Sequence, residues 1–296
     1  MAKPPQIKAG ADSKRAEVSR ELLSLYLTEV RRHLEPLLRE HSVDHVHDMR
    51  VAVRRLRAAM RVLDDKARTL RAQEAGLKVL QDALGEVRDL DVEIAWYLEG
   101  GLGVEGVEPE GLDALVQQVQ AQLPPREAQL VEALRVFQRE TSPLLQEAVR
   151  KHAPPGRLGG KQARKALEKR IRRVEKAAGA LDARMEAGPV HALRIAAKKL
   201  RYTAEPLLAA FPHLEALLDE LASLQKLLGE LHDADVRRER LISLARAGRR
   251  GPARKVAFTL EAAVSAERTG LAQKAARELK RWKKEKVLRA LEHEVT

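Results

Sequence analysis

Apolar residues recur at intervals of three and four along almost the whole chain, the spacing that places them on one face of an α-helix. The alternating pattern of strands is close to absent. The pattern predicts helices at about 12–40, 44–66, 73–98, 111–123 and 125–151, then at about 161–183, 189–211, 213–247, 253–270 and 271–293. The sequence therefore predicts an all-α protein.

Proline, glycine and capping residues divide this pattern. Pro36 and Pro206 fall within helical segments and should kink or end them, because proline lacks the N–H that an interior helical position needs. Asp44 and Ser42 are both candidates for the N-cap of the next helix. The segment PPGRLGG at 154–160 is rich in helix breakers and predicts a boundary between residues 12–153 and residues 160–296.

The chain contains a long internal repeat. The segment VHDMRVAVRRLR at 46–57 recurs as VHALRIAAKKLR at 190–201, and LQDALGEVRDLDV at 80–92 recurs as LQKLLGELHDADV at 224–236. Both pairs are offset by 144 residues, and eight of the thirteen positions in the second pair are identical. The shared offset indicates a duplicated unit. We expect two pseudo-symmetric four-helix bundles, because helices joined by short loops pack as antiparallel bundles.

The first repeated motif carries a row of basic side chains along one side of a helix. At about 100° per residue, the row lies between an apolar seam (Met49, Val53, Leu56 and Met60) and a second strip that includes Val62. Such a row should line a groove or cavity, where either acidic neighbours or a ligand must neutralise it. A solvated helix face is the alternative. The stripe comprises His47, Arg50, Arg54, Arg57 and Arg61 in the first copy, and His191, Arg194, Lys198 and Arg201 in the second.

The second repeated motif places an aspartate on an apolar helix face. Asp91 and Asp235 share their faces with leucines, and a buried carboxylate must be paired or hydrogen-bonded. We expect the stripe arginines to be the partners, so that both aspartates brace the stripe. Gly85 and Gly229 should let neighbouring helices approach closely.

Composition narrows the class of partner. Lys and Arg number 55 against 43 Asp and Glu, a net charge of +12 that should attract nucleic acid, anionic lipid or inorganic polyphosphate. Aromatic residues make up only 3%, few for base stacking, which favours an anion without bases. With no cysteine, disulfides and thiolate metal sites are excluded. The absence of a secretory h-region and of a membrane-length apolar run suggests a cytoplasmic protein without a membrane span.

The four repeated segments resemble the signature segments of the CHAD family, the conserved histidine α-helical domain, from about Arg15 to about Arg289. The resemblance implies two bundles around a basic central cavity, binding of inorganic polyphosphate without catalysis, and association with polyphosphate granules. Some members carry a triphosphate-tunnel catalytic domain before this one, and we expect none here. The same resemblance implies which residues line the cavity: His47, Arg50, Arg54, Arg57, His191, Arg194, Lys198 and Arg201.

Two other functions are alternatives to polyphosphate binding. A nucleic-acid-binding protein is permitted by charge, and a phosphohydrolase or polyphosphate kinase is a weaker alternative, because no P-loop or Gly-rich nucleotide fingerprint is present. We expect neither cofactor nor metal, and the sequence leaves the oligomeric state open.

Further basic residues should widen the predicted polyphosphate site. They are Arg55 and Lys199 beside the stripe, Lys165, Lys169, Arg172 and Arg173 before the second motif, and Arg31, Arg32 and Arg39 before the first.

Overall fold

Most of the residues that the structure describes are in helices. The computed structural model describes residues 7–64, 70–100, 103–182, 184–247 and 251–284. The α-helices in these ranges are α1 (Arg15–Arg32), α2 (Leu34–Arg39), α3 (Val43–Leu63), α4 (Glu74–Gly100), α5 (Pro109–Gln120), α6 (Leu123–Val136), α7 (Ser142–Lys151), α8 (Lys161–Gly179), α9 (Ala187–Ala204), α10 (Leu214–Ala247) and α11 (Pro252–Lys284). Within the described ranges the only β-type pairing is an isolated bridge between Lys14 and Arg157, so the all-α prediction is confirmed.

Two predicted helices are interrupted where proline enters the pattern. The segment predicted at 12–40 divides at His33 into α1 and α2. Pro36 accounts for this division, since its ring would clash with the carbonyl of Arg32, the last residue of α1. The segment predicted at 189–211 ends at Ala204 and continues only as a 3-10 turn, Glu205–Leu207, that contains Pro206.

Two other helix boundaries also differ from the prediction. The segment predicted at 125–151 contains one π-helical turn, Phe137–Thr141, between α6 and α7. Conversely, the predicted break at 270–271 is absent, because α11 passes through Gly270. A glycine inside a helix costs only about 1 kcal/mol relative to alanine, and α11 packs along α10 over much of its length. The predicted residues 285–293 lie outside the described ranges.

The apolar seam of the first motif forms the centre of the core. Met49, Val53 and Leu56 are fully buried, and Met60 is nearly so. Burying each such side chain contributes about 1.5–3 kcal/mol, which fixes the rotation of α3 about its axis. In the second motif, Leu193, Ala197 and Leu200 are buried in the same way on α9. The hydrophobic pattern therefore determined which side of each helix remains for the basic stripe.

The two motif-bearing helices lie at the centre of the packing. Helix α3 packs against α1 and α4, α9 packs against α8 and α10, and α3 and α9 also contact each other. Helices α5 and α11 make a second contact between the two parts of the chain. The arrangement of the chain as two pseudo-symmetric bundles, with boundaries at 153 and 160, stays a prediction.

The breaker-rich segment at 154–160 is not a free linker. Its backbone pairs with the start of the chain: Arg15 N–H donates to the Gly156 carbonyl at 2.9 Å, and Leu158 N–H donates to the Ser13 carbonyl at 3.0 Å. Gly156 has φ of 94°, a conformation that favours glycine. Among the described helices, none is both long and apolar enough to cross a membrane.

Candidate anion-binding site

The starts of α3 and α9 are held in place by different contacts. The Ser42 side chain accepts a hydrogen bond from His45 N–H at 3.4 Å, so Ser42 is the N-cap of α3 as predicted. Before α9, Met185 has a positive φ of 49°, and its carbonyl accepts a hydrogen bond from Arg268 at 2.7 Å. These contacts set the position at which each basic stripe begins.

A cavity of about 500 Å³ lies between α3, α8 and α9, with Gln81 of α4 at its edge. Its uncharged lining includes Ala58, Val62, Ile195 and Tyr202, residues from the flanks of the two stripes. Of the described residues that line it, none carries a carboxylate. Eight lining residues are basic: Arg54, Arg57, Arg61, Lys169, Arg170, Arg173, Lys198 and Lys199. The cavity therefore concentrates positive charge from three helices.

Both burial and repulsion between cations act on Lys198. Burial lowers the pKa of Lys198 to about 7, and the neighbouring Arg194, Arg54 and Arg50 add to the shift. Asp233 opposes the shift but does not cancel it. The ammonium form of Lys198 is thus disfavoured until an anion enters, since both lost hydration and like charges act against it.

Several guanidinium nitrogens of the stripe lack protein partners. Arg54 Nε, Arg57 Nε and Arg194 Nε are buried and find no hydrogen-bond acceptor among the described residues, and His191 Nδ1 is likewise buried without a partner there. Burial also lowers the pKa of Arg54 and of Arg194. A buried donor without an acceptor costs about 1–3 kcal/mol, so phosphate oxygens entering here would satisfy groups that the fold leaves without acceptors.

One end of the stripe is partly neutralised by α4. Glu74 contacts Arg57 at 3.4 Å and makes a close ion pair with Arg61. Gln81 accepts a hydrogen bond from Arg57 at 2.9 Å. Since one carboxylate serves two guanidinium groups, this end keeps a net positive charge.

Arg55 and Arg201 occupy a different environment from the rest of the basic set. Glu205, which is 7% exposed, lies 3.1 Å from Arg55 Nε and 3.3 Å from Arg201 Nε. Arg201 also lies over the ring of Tyr202, 5.0 Å from its centroid. Neither arginine is among the residues that line the cavity. Their ion pairs with Glu205 instead join α3 to the end of α9.

The aspartates that face the stripe are not the predicted ones. Asp91 pairs with His41 at 3.1 Å, and Asp235 pairs with Arg268 at 2.6 Å. Within the second motif, the carboxylates that face the stripe stand two residues earlier, with Asp89 3.7 Å from Arg50 and Asp233 4.0 Å from Arg194. This corrects the prediction that Asp91 and Asp235 brace the stripe. Residues i and i+2 point to different sides of a helix, so only one aspartate of each D-x-D can face the stripe.

The two glycines of the second motif do not mediate close helix approach. A Cβ at Gly85 would lie 3.7 Å from Arg50 Nε, an ordinary contact with a side chain. A Cβ at Gly229 would meet no heavy atom within 4 Å among the described residues. An alanine at either position would therefore meet no steric obstacle among the described residues.

The repeated histidines lie at the start of each stripe and have unlike neighbours. Burial lowers the pKa of His47, and the adjacent cation Arg88 lowers it further. At the position of Arg88 in the second copy stands His232, whose ring centroid lies 4.7 Å from that of His191. Burial likewise lowers the pKa of His232, with Arg194 adding to the effect. His47 and His232 are therefore biased toward the neutral form.

Helix α8 supplies a side of the cavity that the sequence reasoning described only in part. Lys169 and Arg173, two of the predicted basic residues, line the cavity. Arg170, which the sequence analysis does not name, also lines it. Arg172 instead pairs with Glu168 on the outer face at 3.1 Å. Ala166, the first residue of this face, is followed by the cavity-lining cations at i+3, i+4 and i+7, so extending that spacing would have found Arg170.

The stripe residues His47, Arg50, His191 and Arg194, which were also expected to line the cavity, are not among its lining residues. The same is true of the basic candidates outside the stripes, Arg31, Arg32, Arg39 and Lys165. Arg31 donates to the Ser142 hydroxyl at 2.7 Å and to Gln146 at 2.8 Å, which joins α1 to α7. The other three, Lys165, Arg32 and Arg39, are exposed.

Comparison with known proteins gives a family and a fold. Residues 21–242 match the family model of the CHAD domain. The crystal structure of the CHAD domain from the plant Ricinus communis is similar, with a TM-score of 0.67, 24% identity, and coverage of 99% of this chain and 96% of that one. PptA from Streptomyces chartreusis is also similar, with a TM-score of 0.64, 17% identity, and coverage of 91% and 99%. No curated protein matches the chain. At these identities, the two structures show a shared fold.

Proposed function

Because the chain belongs to the CHAD domain family, we propose that it binds inorganic polyphosphate in the cavity between α3, α8 and α9 and does not catalyse a reaction on it. The observation that carries the proposal is the lining itself: eight basic side chains and, within the described residues, no carboxylate. Bound phosphates would accept charge-assisted hydrogen bonds from these groups.

The number of cations in the cavity favours an anion with closely spaced charges. Burial and cationic neighbours lower the pKa of Lys198 to about 7. A single small anion would compensate only some of these cations, whereas a phosphate chain brings one charge with each unit along its length. Binding would then relieve both the repulsion between cations and the unsatisfied donors on Arg54 and Arg57, which line the cavity.

The aromatic content of the cavity argues against recognition of nucleic-acid bases. Tyr202 is the aromatic side chain among the described lining residues, and two guanidinium groups already lie near its ring, those of Arg54 at 5.8 Å and Arg201 at 5.0 Å from the centroid. Base stacking on aromatic rings contributes about 1–3 kcal/mol per base in proteins that bind single strands. Without a free ring surface, a single-stranded RNA would have little advantage over polyphosphate.

The test is a titration of the protein with long-chain polyphosphate at increasing salt concentration. Neutralising about seven phosphates should give a log–log salt slope of about −5, by analogy with single-stranded nucleic acids. Replacing both Arg54 and Lys198 with Ala should make the slope shallower and weaken binding strongly. Arg172→Ala is the matched control, because Arg172 is exposed and paired with Glu168 on the outer face of α8.

Three results would contradict the proposal. Affinity that stays constant with salt would remove the electrostatic basis. Single-stranded RNA that displaces polyphosphate at equal phosphate concentration would favour the nucleic-acid alternative. Phosphate release from polyphosphate in the presence of Mg²⁺ or Mn²⁺ that disappears in His47→Ala would favour a phosphohydrolase. Association with polyphosphate granules in the cytoplasm is part of the same proposal, and fluorescence microscopy of the tagged protein in polyphosphate-depleted cells tests it.

A further inference from the structure

The cavity has cations on the α8 side that have no counterpart in the first copy of the repeat. Arg170 Nε donates to the Thr203 hydroxyl at 3.3 Å. Burial lowers the pKa of Arg170, and Arg173 and Arg61 lower it further, which shows that these three cations are neighbours. Lys169 completes the set. This side of the cavity is therefore formed by four basic residues, three on α8 and one on α3.

At the equivalent positions, 144 residues away in the repeat, no basic side chain is present. Leu25, Tyr26 and Glu29 on α1 take the places of Lys169, Arg170 and Arg173, and Glu205 takes the place of Arg61. Four cations are thus replaced by two neutral and two acidic side chains. Tyr26 is 1% exposed and lies near Glu205, which contributes, after burial, to raising the pKa of Tyr26.

Glu205 provides a built-in anion at this equivalent position. Its carboxylate lies between Arg55 and Arg201 at 3.1 and 3.3 Å, and all three side chains are buried. At this equivalent position, the positive charges of Arg55 and Arg201 already have a partner. An anionic ligand would have to displace a buried carboxylate to bind there, which is costly because the displaced charge would remain in a desolvated site.

We propose that the polyphosphate site is one-sided: the phosphate chain lies along the α8 side of the cavity, on Lys169, Arg170 and Arg173, whereas Glu205 closes the equivalent position beside α1. This inference rests on the proposed polyphosphate binding and specifies where on the duplicated fold the polymer is held. The duplication would then provide one binding surface per chain, and α8 would determine its position.

Exchanging residues at equivalent positions tests the inference. Lys169→Leu removes one cation from the α8 side, and Leu25→Lys adds one at the matching position on α1, where Leu25 is 39% exposed and can accept a lysine. The double variant Lys169→Leu/Leu25→Lys keeps the net charge of the wild-type chain. Polyphosphate affinity and its salt dependence are measured for all four proteins, with thermal melts to establish that each is folded.

We expect Lys169→Leu to reduce affinity about fivefold at 0.1 M salt and to make the salt slope shallower by about 0.7, the change for one phosphate contact. Leu25→Lys should change neither, and the double variant should behave as Lys169→Leu does. A double variant that binds as tightly as wild type, or a Leu25→Lys protein that gains affinity, would overturn the one-sided site while leaving polyphosphate binding intact. Failure of the wild-type protein to bind polyphosphate would instead overturn the proposed function, and this inference with it.

Discussion

Lys198 should make polyphosphate binding depend on pH in the range where most other groups of the cavity do not titrate. Its pKa is lowered to about 7 by burial and by Arg194, Arg54 and Arg50, with only Asp233 acting in the opposite direction. A bound phosphate chain supplies the missing negative charge and should return the pKa toward its ordinary value of 10.5. Binding would then be accompanied by proton uptake at Lys198.

The size and sign of the effect follow from this shift. At pH 8, about 90% of Lys198 would be neutral in the free protein and almost none in the complex, so binding should take up about 0.9 proton. Since the complex holds the extra proton, affinity should fall as pH rises. The dependence should be nearly flat below about pH 6 and approach tenfold per pH unit above about pH 8, about 100-fold in all between pH 6 and pH 9.

Isothermal titration calorimetry at pH 8 in two buffers of different ionisation enthalpy measures the proton number directly. Long-chain polyphosphate keeps the contribution of titrating terminal phosphates small. His47 and His232 are neutral in the free protein at this pH, because burial lowers the pKa of both.

Two substitutions at Lys198 separate its role from that of the other cations. Lys198→Arg keeps the charge at all these pH values, so proton uptake should vanish and binding at pH 9 should be tighter than in wild type. Lys198→Met removes the charge, so binding should be weak and independent of pH. The reasoning would be refuted if wild-type protein and Lys198→Arg took up the same number of protons at pH 8.

Three further predictions concern stability. Gly76→Ala should lower the free energy of unfolding by about 1–3 kcal/mol in urea titrations, because the new Cβ would overlap the Thr141 side chain in the π-helical turn, and adding Thr141→Ala should restore part of the loss. Arg31→Ala should lower it by about 1–2 kcal/mol, since the contact with Ser142 is lost, without weakening polyphosphate binding; a loss of affinity would place Arg31 in the site. Leu56→Ala should cost about 2–5 kcal/mol, and a loss below 1 kcal/mol would contradict the tight packing of α3.

Helix type and helix face could be predicted from local sequence. The seam that includes Met49 and Leu56 is buried as its spacing predicts, because a repeating apolar pattern determines which side of a helix leaves water. Ser42 caps α3, and helices end near Pro36 and Pro206, for equally local reasons. The π-helical turn before α7 was not predicted, although Pro143 stands two residues after it. Proline lacks an N–H and its ring clashes with the carbonyl four residues earlier, so Pro143 is a local signal for a departure from the α-helix here.

The sequence alone thus determined an all-α chain whose repeat carries two basic stripes beside buried seams, because periodicity and charge are properties of individual segments. Which cations share a cavity was decided only by the tertiary structure. Arg61 and Glu205 occupy equivalent positions of the repeat, yet Arg61 lines the cavity and Glu205 neutralises Arg55 across the α3–α9 contact. Such pairings depend on side chains from separate helices meeting in space, and the energy of a charge is set by the partners it finds there.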